Sequence, residues 1–296
     1  MKDSFSRLNP FVNLIFFAFV IVLTMFTLNP ICIGISLVCA LLNALYLNGK
    51  KAVRISLLYL LPMAVMISLI NPLFNHQGVT ILTYFSWGNP LTLESILYGI
   101  ATAVLLSSTV LWFSCFNTVM TSDKFVYLFG KAAPSLSLVL SMTLRFVPKF
   151  TAQMKKVRQS QKCIGRDVSD GGLISRIKHG IKIISIMITW SLENAIETAD
   201  SMKSRGHGLK GRTAYSVFKF TQRDFAVLAF ELILGLAAVI LLFGGISEFW
   251  YYPSISGNIF EAISVVDYLI YAALMLMPLV INVWEGKKWK RLRSKI

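Results

Sequence analysis

Residues 8–50 read LNPFVNLIFFAFVIVLTMFTLNPICIGISLVCALLNALYLNGK, and no charged residue falls between Arg7 and Lys50. A membrane-spanning helix needs roughly 20 apolar residues, so this interval is long enough for two passes. Asn29-Pro30 divides it, because proline cannot continue a helix. The first run, 11–28, is too long for the apolar region of a cleavable signal and lacks a small-x-small cleavage site. It reads as a first span, and 31–47 as a second.

Working outward, the chain is again free of charge between Arg54 and Glu94, and between Glu94 and Asp123. These intervals give spans at 56–74 and 96–118, with Asn71-Pro72 and Asn89-Pro90 bracketing the loop between them. Two further spans fall at 225–246, closed by Gly244-Gly245, and at 264–284. Composition agrees: 55% of the 296 residues are hydrophobic and 15% are charged, against about 25% charged in a soluble domain.

The basic residues orient the spans. Lys2 and Arg7 precede the first, Lys50, Lys51 and Arg54 follow the second, 18 more lie in 124–223, and six occupy the tail from Lys287 to Lys295. With both termini inside, all 29 Lys and Arg fall on one side, and the opposite loops 29–30, 75–95 and 247–263 hold none. The positive-inside rule thus accounts for the net charge of +15 without nucleic acid. The expected organisation is all-α: a polytopic membrane protein with about six transmembrane helices and two long cytoplasmic helices. It comprises a four-span region (1–119), a cytoplasmic domain (120–223) and a two-span region with a basic tail (224–296). The expected location is the prokaryotic cell membrane, with both termini and 120–223 cytoplasmic.

The cytoplasmic segment carries two helical patterns of about 30 residues each. After Pro134, which suits a first helical position, apolar residues recur at Leu136, Leu140, Leu144, Val147 and Met154. Ser169-Asp170-Gly171-Gly172 reads as a turn. A second row follows at Ile177, Ile181, Ile184, Ile188, Leu192, Ala195, Ala199 and Met202, and Gly206-His207-Gly208 closes it. At 1.5 Å per residue each helix is roughly 45 Å long. Both carry charge over most of their length, and a seventh span would invert the basic tail. They read as amphipathic helices at or below the membrane surface.

Catalytic patterns are missing from the sequence. There is no phosphate-binding G-x-x-x-x-G-K-[ST] loop, no H-E-x-x-H and no aspartate-rich pair for diphosphate–magnesium chemistry. His76, His179 and His207 are scattered. Cys32, Cys39, Cys115 and Cys163 lack metal or redox spacing. No charge falls mid-span in the first four helices, which argues against proton- or ion-coupled transport. The expectation is a non-enzyme with no cofactor and no metal. What stands out is at the ends of the long helices. Arg158, Lys162 and Arg166 recur every four residues, and Arg205 sits beside Gly206, where it can be presented to a partner's groove. Glu193, Glu197 and Asp200 form an acidic stripe that either pairs with the basic first helix or is a solvated face. Ala195 and Ala199 are small enough for a close crossing.

Several of these stretches resemble the transmembrane T component of energy-coupling factor (ECF) transporters, the vitamin and metal importers of bacteria and archaea. They are Leu8-Asn9-Pro10, Leu144-Arg145-Phe146-Val147-Pro148, residues 161–172, and Ala199-Asp200-Ser201-Met202-Lys203-Ser204-Arg205-Gly206-His207-Gly208. The resemblance implies two crossed coupling helices, each ending in an Ala-Arg-Gly-like motif that docks on one of two ATPase subunits. It also implies a small substrate-binding membrane subunit, the S component, held by the same helices. Carried over, Ser204, Arg205 and Gly206 form the second docking motif. The first departs: Cys163-Ile164-Gly165 stands where Ala-Arg-Gly is usual. Either Arg166 substitutes from the next turn, or that contact is mainly apolar. Gly165 and Arg166 are the docking candidates there. Arg145, Pro148, Ala195, Ala199, Glu197 and Asp200 are the candidates for helix packing and S-component contact. The implied function is a non-catalytic coupling subunit of an ATP-driven importer, with two ABC-type ATPases, an S component and the bilayer as partners. The main alternative is a conventional ABC permease with its own substrate pathway. A polytopic membrane enzyme would need a catalytic cluster at the membrane face, and a scaffold would have no ATPase partner.

Overall fold

Asn9-Pro10 and Asn29-Pro30 start two helices by the same device. In α1 (Pro10–Phe26) and α2 (Pro30–Asn48) the asparagine side chain accepts from the backbone N–H two residues on, at 3.1 Å and 3.0 Å. Proline takes the next position, where its missing N–H has no helical partner to lose. The computed structural model describes residues 3–84, 88–166, 172–209, 218–245, 249–257 and 262–293.

The chain divides into two compact units. One comprises Met1–Lys124 with Phe218–Ile296, the other Phe125–Val217. In the first, five helices among the described residues are long and apolar enough to cross a membrane: Pro30–Asn48, Ala52–Phe74, Leu93–Val119, Gln222–Phe243 and Ala262–Arg293. α1, with 17 residues, is a shorter apolar helix. The third run is built from α3 (Lys50–Ile55), a π turn (Ser56–Leu60) and α4 (Leu61–Phe74). The π turn sits just before Pro62, whose ring would clash with the carbonyl four residues earlier in a regular α-helix. Pro72 lies inside α4, which runs to Phe74, the expected end of the third span. The Ser68 carbonyl, deprived of its usual donor by Pro72, faces Gly99 of α5 (Leu93–Val119), where a Cβ would stand 2.9 Å away.

The core of this unit lies around α1. Val12, Phe16, Val20 and Leu23 are fully buried, together with Trp112 of α5 and Leu274 and Met275 of α10 (Ala262–Arg293). Phe16 meets Phe17 and Trp112 edge-on. Polar side chains cross-link the helices: Thr24 Oγ1 and Ser36 Oγ lie 3.0 Å apart, and Trp112 Nε1 donates to Ser36 Oγ at 3.0 Å. Within an apolar bundle such bonds have no competing water. α9 (Gln222–Phe243) packs on α1 and α10, with Gly235 against Phe19; a Cβ at Gly235 would lie 2.8 Å from the ring.

Two short antiparallel hairpins interrupt the helical pattern. β1 (Ile81–Tyr84) pairs with β2 (Pro90–Thr92), and β3 (Phe249–Trp250) with β4 (Ser256–Gly257). Buried Glu94 anchors the first by accepting from Thr80 N and Thr80 Oγ1 at 3.1 Å and 2.7 Å.

In the second unit, α7 (Pro134–Cys163) and α8 (Leu173–Ser204) are the two long helices, 30 and 32 residues. The sequence reading omitted α6 (Ser122–Ala132). Its fold signal is a short amphipathic pattern that ends where Pro134 starts the next helix. The sixth span also exceeds its expected end at 284: α10 continues to Arg293, so the basic tail up to there is helical.

Candidate functional site

The ends of α7 and α8 are built alike, although their sequences differ. α8 closes at Arg205, with Gly206 in the left-handed region at φ 79°. Gly206 N donates to Lys203 O at 2.9 Å and His207 N to Met202 O at 3.0 Å. α7 closes at Ile164, with Gly165 at φ 74°; Gly165 N donates to Lys162 O and Arg166 N to Gln161 O, both at 3.0 Å. This is the Schellman cap on both helices: the two orphan carbonyls are bonded by the residues that turn the chain away, and glycine supplies the left-handed step. Superposing the caps puts Ile164 in the place of Arg205 and Arg166 in the place of His207. Arg205, Arg166 and Ile164 are all exposed, Ile164 at 65%. The turn expected at 169–172 lies outside the described residues except for Gly172, which precedes α8.

The two helices meet nearer their middles. Phe150 packs edge-on against Trp190, ring centres 5.3 Å apart. Lys149 Nζ donates to Asn194 Oδ1 at 2.6 Å and lies 5.5 Å from the Trp190 ring centre. Ile183 and Met187 are the buried residues of α8. Lys149, Phe150 and Trp190 were not among the site residues expected from the sequence, although Phe150 falls in a second apolar row of the first helix with Val139, Phe146 and Val157 and Lys149 is among its charges; an aromatic on each helix was the available signal. Of the residues that were, Arg145 and Pro148 are exposed on α7, Pro148 inside the helix. Ala195 is exposed and Ala199 half-buried. Glu197 and Asp200 are exposed and form no ion pair among the described residues. Along α8, Ile177, Ile181, Ile184, Ile188, Leu192 and Ile196 are all exposed. In a helix of a water-soluble monomer such a stripe would be covered, and an exposed apolar patch of this extent marks an interaction surface.

Glu231, mid-helix in α9, was also passed over in the sequence. It is fully buried, and neither carboxylate oxygen has a hydrogen-bond partner among the described residues.

Residues 1–215 match the family model for CbiQ, described as cobalt transport protein. Among curated relatives, the chain is 32% identical over 152 residues to the energy-coupling factor transporter transmembrane protein EcfT of Lactobacillus helveticus, covering 46% of this chain and 55% of the relative. It is 27% identical over 173 residues to EcfT 1 of Listeria monocytogenes, covering 53% of this chain and 64% of the relative. It is 28% identical over 223 residues to EcfT of Brevibacillus brevis, covering 69% of this chain and 79% of the relative. The chain thus spans little more than half the length of the first of these. The match to the family model covers most of the chain, and the relatives carry the name of the group that the helix-end motifs resembled. The chain belongs to the CbiQ family, the transmembrane T components of energy-coupling factor transporters.

Proposed function

We propose that this chain is a non-catalytic coupling subunit: it links two cytoplasmic ATPase subunits to a substrate-binding S component and drives uptake of a vitamin or metal ion. The observation that carries the reading is the pair of long, mutually packed helices with identical caps, each presenting an exposed side chain beside a left-handed glycine. Coupling requires a stiff element that touches both sites. Phe150, Trp190, Lys149 and Asn194 fasten the two helices into one. The exposed isoleucine stripe of α8 is the surface for the S component, with Arg145, Pro148, Ala195, Ala199, Glu197 and Asp200 as candidates along the same helices. The capped ends are the surfaces for the ATPases: Ser204, Arg205 and Gly206 on one, Gly165 and Arg166 around Ile164 on the other. In this reading both termini and 120–223 face the cytoplasm. A permease with its own pathway remains the competing reading. It calls for short loops between spans as coupling elements, not helices of 30 and 32 residues.

The guanidinium of Arg205 offers five donors in a fixed fork suited to a carboxylate. Truncating one partner of such a buried pair costs about 2–5 kcal/mol, which is roughly 30- to several-thousand-fold in affinity. Affinity isolation of the tagged chain should bring down two ATPase polypeptides and a small membrane protein. Arg205→Ala should release at least one ATPase while the protein still inserts, and Arg205→Lys should rescue in part. Isolation of the native chain with no ATPase, or hydrolysis of ATP by the chain alone, contradicts the reading.

A further inference from the structure

Three hydrogen bonds inside the membrane unit mark one edge of its spans. Asp224, in the first turn of α9, accepts from Asn9 N at 3.1 Å, at the residue that caps α1. Asn282 of α10 accepts from Ser4 N and Phe5 N at 2.8 Å and 2.9 Å. The starts of α1 and α9 and residue 282 of α10 therefore lie at one level. α10 does not end there. It continues as helix to Arg293, and at 1.5 Å per residue this overhang rises roughly 16 Å. The headgroup layer of one leaflet is only about 5–8 Å deep. The first turns of the overhang thus lie among the headgroups, and the rest lies within about one screening length of roughly 8 Å beyond them. Trp284 and Trp289 are exposed on it, and so are Lys287, Lys288 and Arg293. Lys288 Nζ lies 5.8 Å from the centre of the Trp284 ring. The sequence places six Lys and Arg between 287 and 295, and Glu285 is the only acid after Asp267. Glu285 is already engaged by Arg223 of α9.

Basic residues after a span are enough to orient it; orientation alone requires neither a continuous helix nor tryptophan. Exposed tryptophan is out of place in water and at home at headgroup depth, where the ring meets acyl chain on one side and polar groups on the other. Lysine fits the same layer, its stem along apolar surface and its ammonium among phosphates. We propose that the overhang of α10 is a binding site for anionic phospholipid headgroups. Trp284 sits within the headgroup layer and Trp289 at its outer edge. Lys287, Lys288 and Arg293 hold net-negative lipids around the helix. The pairing of Glu285 with Arg223 serves the site, since it removes the one carboxylate that would compete for these cations. Charge alone would suit an acidic protein equally well. The two tryptophans, placed where the spans end, favour lipid. The site lies wholly within the membrane unit and does not depend on the coupling role.

The test uses the full chain, reconstituted in phosphatidylcholine vesicles that carry a minor fraction of brominated lipid, with quenching of tryptophan fluorescence as the readout. Brominated phosphatidylglycerol should associate about threefold or more in excess of brominated phosphatidylcholine at the same fraction. The excess should vanish in about 1 M sodium chloride, where the screening length falls to about 3 Å. This comparison needs no variant and holds however the variants fold. Trp284→Phe combined with Trp289→Phe should remove most of the excess, because it arises at those rings. Lys287→Gln, Lys288→Gln and Arg293→Gln together should abolish it, and Lys287→Arg with Lys288→Arg should keep it. Lys50→Gln with Arg54→Gln, at exposed bases elsewhere in the unit, should leave it intact. Equal quenching by the two lipids in the wild type overturns the site, and binding of polyglutamate to the tail would then assign it to an acidic protein. An excess that survives the neutralised tail, or that Lys50→Gln with Arg54→Gln removes as fully, overturns it too.

Discussion

At Gly206 and Gly165 the backbone needs a conformation that a side chain disfavours, and at Gly180 it does not. Gly206 has φ 79°, and an added Cβ would stand 3.1 Å from Leu209 Cδ1. The left-handed conformation costs a non-glycine residue roughly 1–2 kcal/mol, so Gly206→Ala should fray the last turn of α8, read as faster amide exchange at His207. Gly180, inside α8 with nothing within 4 Å of its Cβ position, should instead gain about 0.5–1 kcal/mol on mutation to Ala, seen as slower exchange along the helix. Lys124 gives a pH signature. Burial lowers its pKa from the ordinary 10.5 to about 8, with Asp3 opposing. Between these values the unfolded chain binds more protons than the folded one. Stability therefore rises with pH from 8 to 10.5, by roughly 3 kcal/mol at most. The melting temperature of the wild type should climb relative to Lys124→Met over that range; a constant difference would contradict the burial of a charged amine. The sequence showed the glycines, because a glycine closing a periodic run has one common meaning. It did not show that Lys124 is buried, nor that Ile164 and Arg205 share one place in two caps.

Element lengths were legible because charge is nearly excluded from the spans and apolar period marks the amphipathic helices. Pro134 starts α7 and Gly206 follows the end of α8, where the sequence put them. The crossing of these helices was not legible. Small residues at Ala195 and Ala199 suggested close approach there, but the contact rests on large ones, Phe150 against Trp190, with Lys149 reaching Asn194. Volume decides such contacts, and periodicity does not report which apolar row faces the partner. An edge-to-face aromatic pair is worth about 0.5–1.5 kcal/mol beyond its buried area. A double-mutant cycle with Phe150→Leu and Trp190→Leu should recover a coupling of that size in unfolding of the purified chain. Additive effects would place the joint elsewhere. The acidic stripe serves as a control: Glu197 and Asp200 are exposed and form no ion pair among the described residues, so their reversal should leave the stability of the chain alone within about 0.5 kcal/mol, while any effect on assembly would report a partner.

For the whole molecule, the spacing of 29 Lys and Arg along the chain predicts an orientation that a native thiol can test. Cys32, Cys39 and Cys115 are buried, and Cys163, at the end of α7, is exposed. An impermeant thiol reagent should leave Cys163 unmodified in intact cells and label it after permeabilisation. Cysteines placed at Thr83 or Ser256, in the opposite hairpins, should react from outside. The membrane unit followed from composition because lipid imposes one rule on every span. The two long helices of the second unit followed from their apolar period, whereas a role for their ends came only from motif resemblance, since exposed residues at a helix end carry few constraints within their own chain. The central claim is that the two capped ends each engage an ATPase. A photoreactive amino acid at position 164 and, separately, at position 205 should be irradiated in the isolated complex and its adducts identified by mass spectrometry. Each position is expected to cross-link to an ATPase subunit, 164 through an apolar surface and 205 beside a carboxylate. Adducts confined to lipid or to the chain itself at both positions would contradict the account.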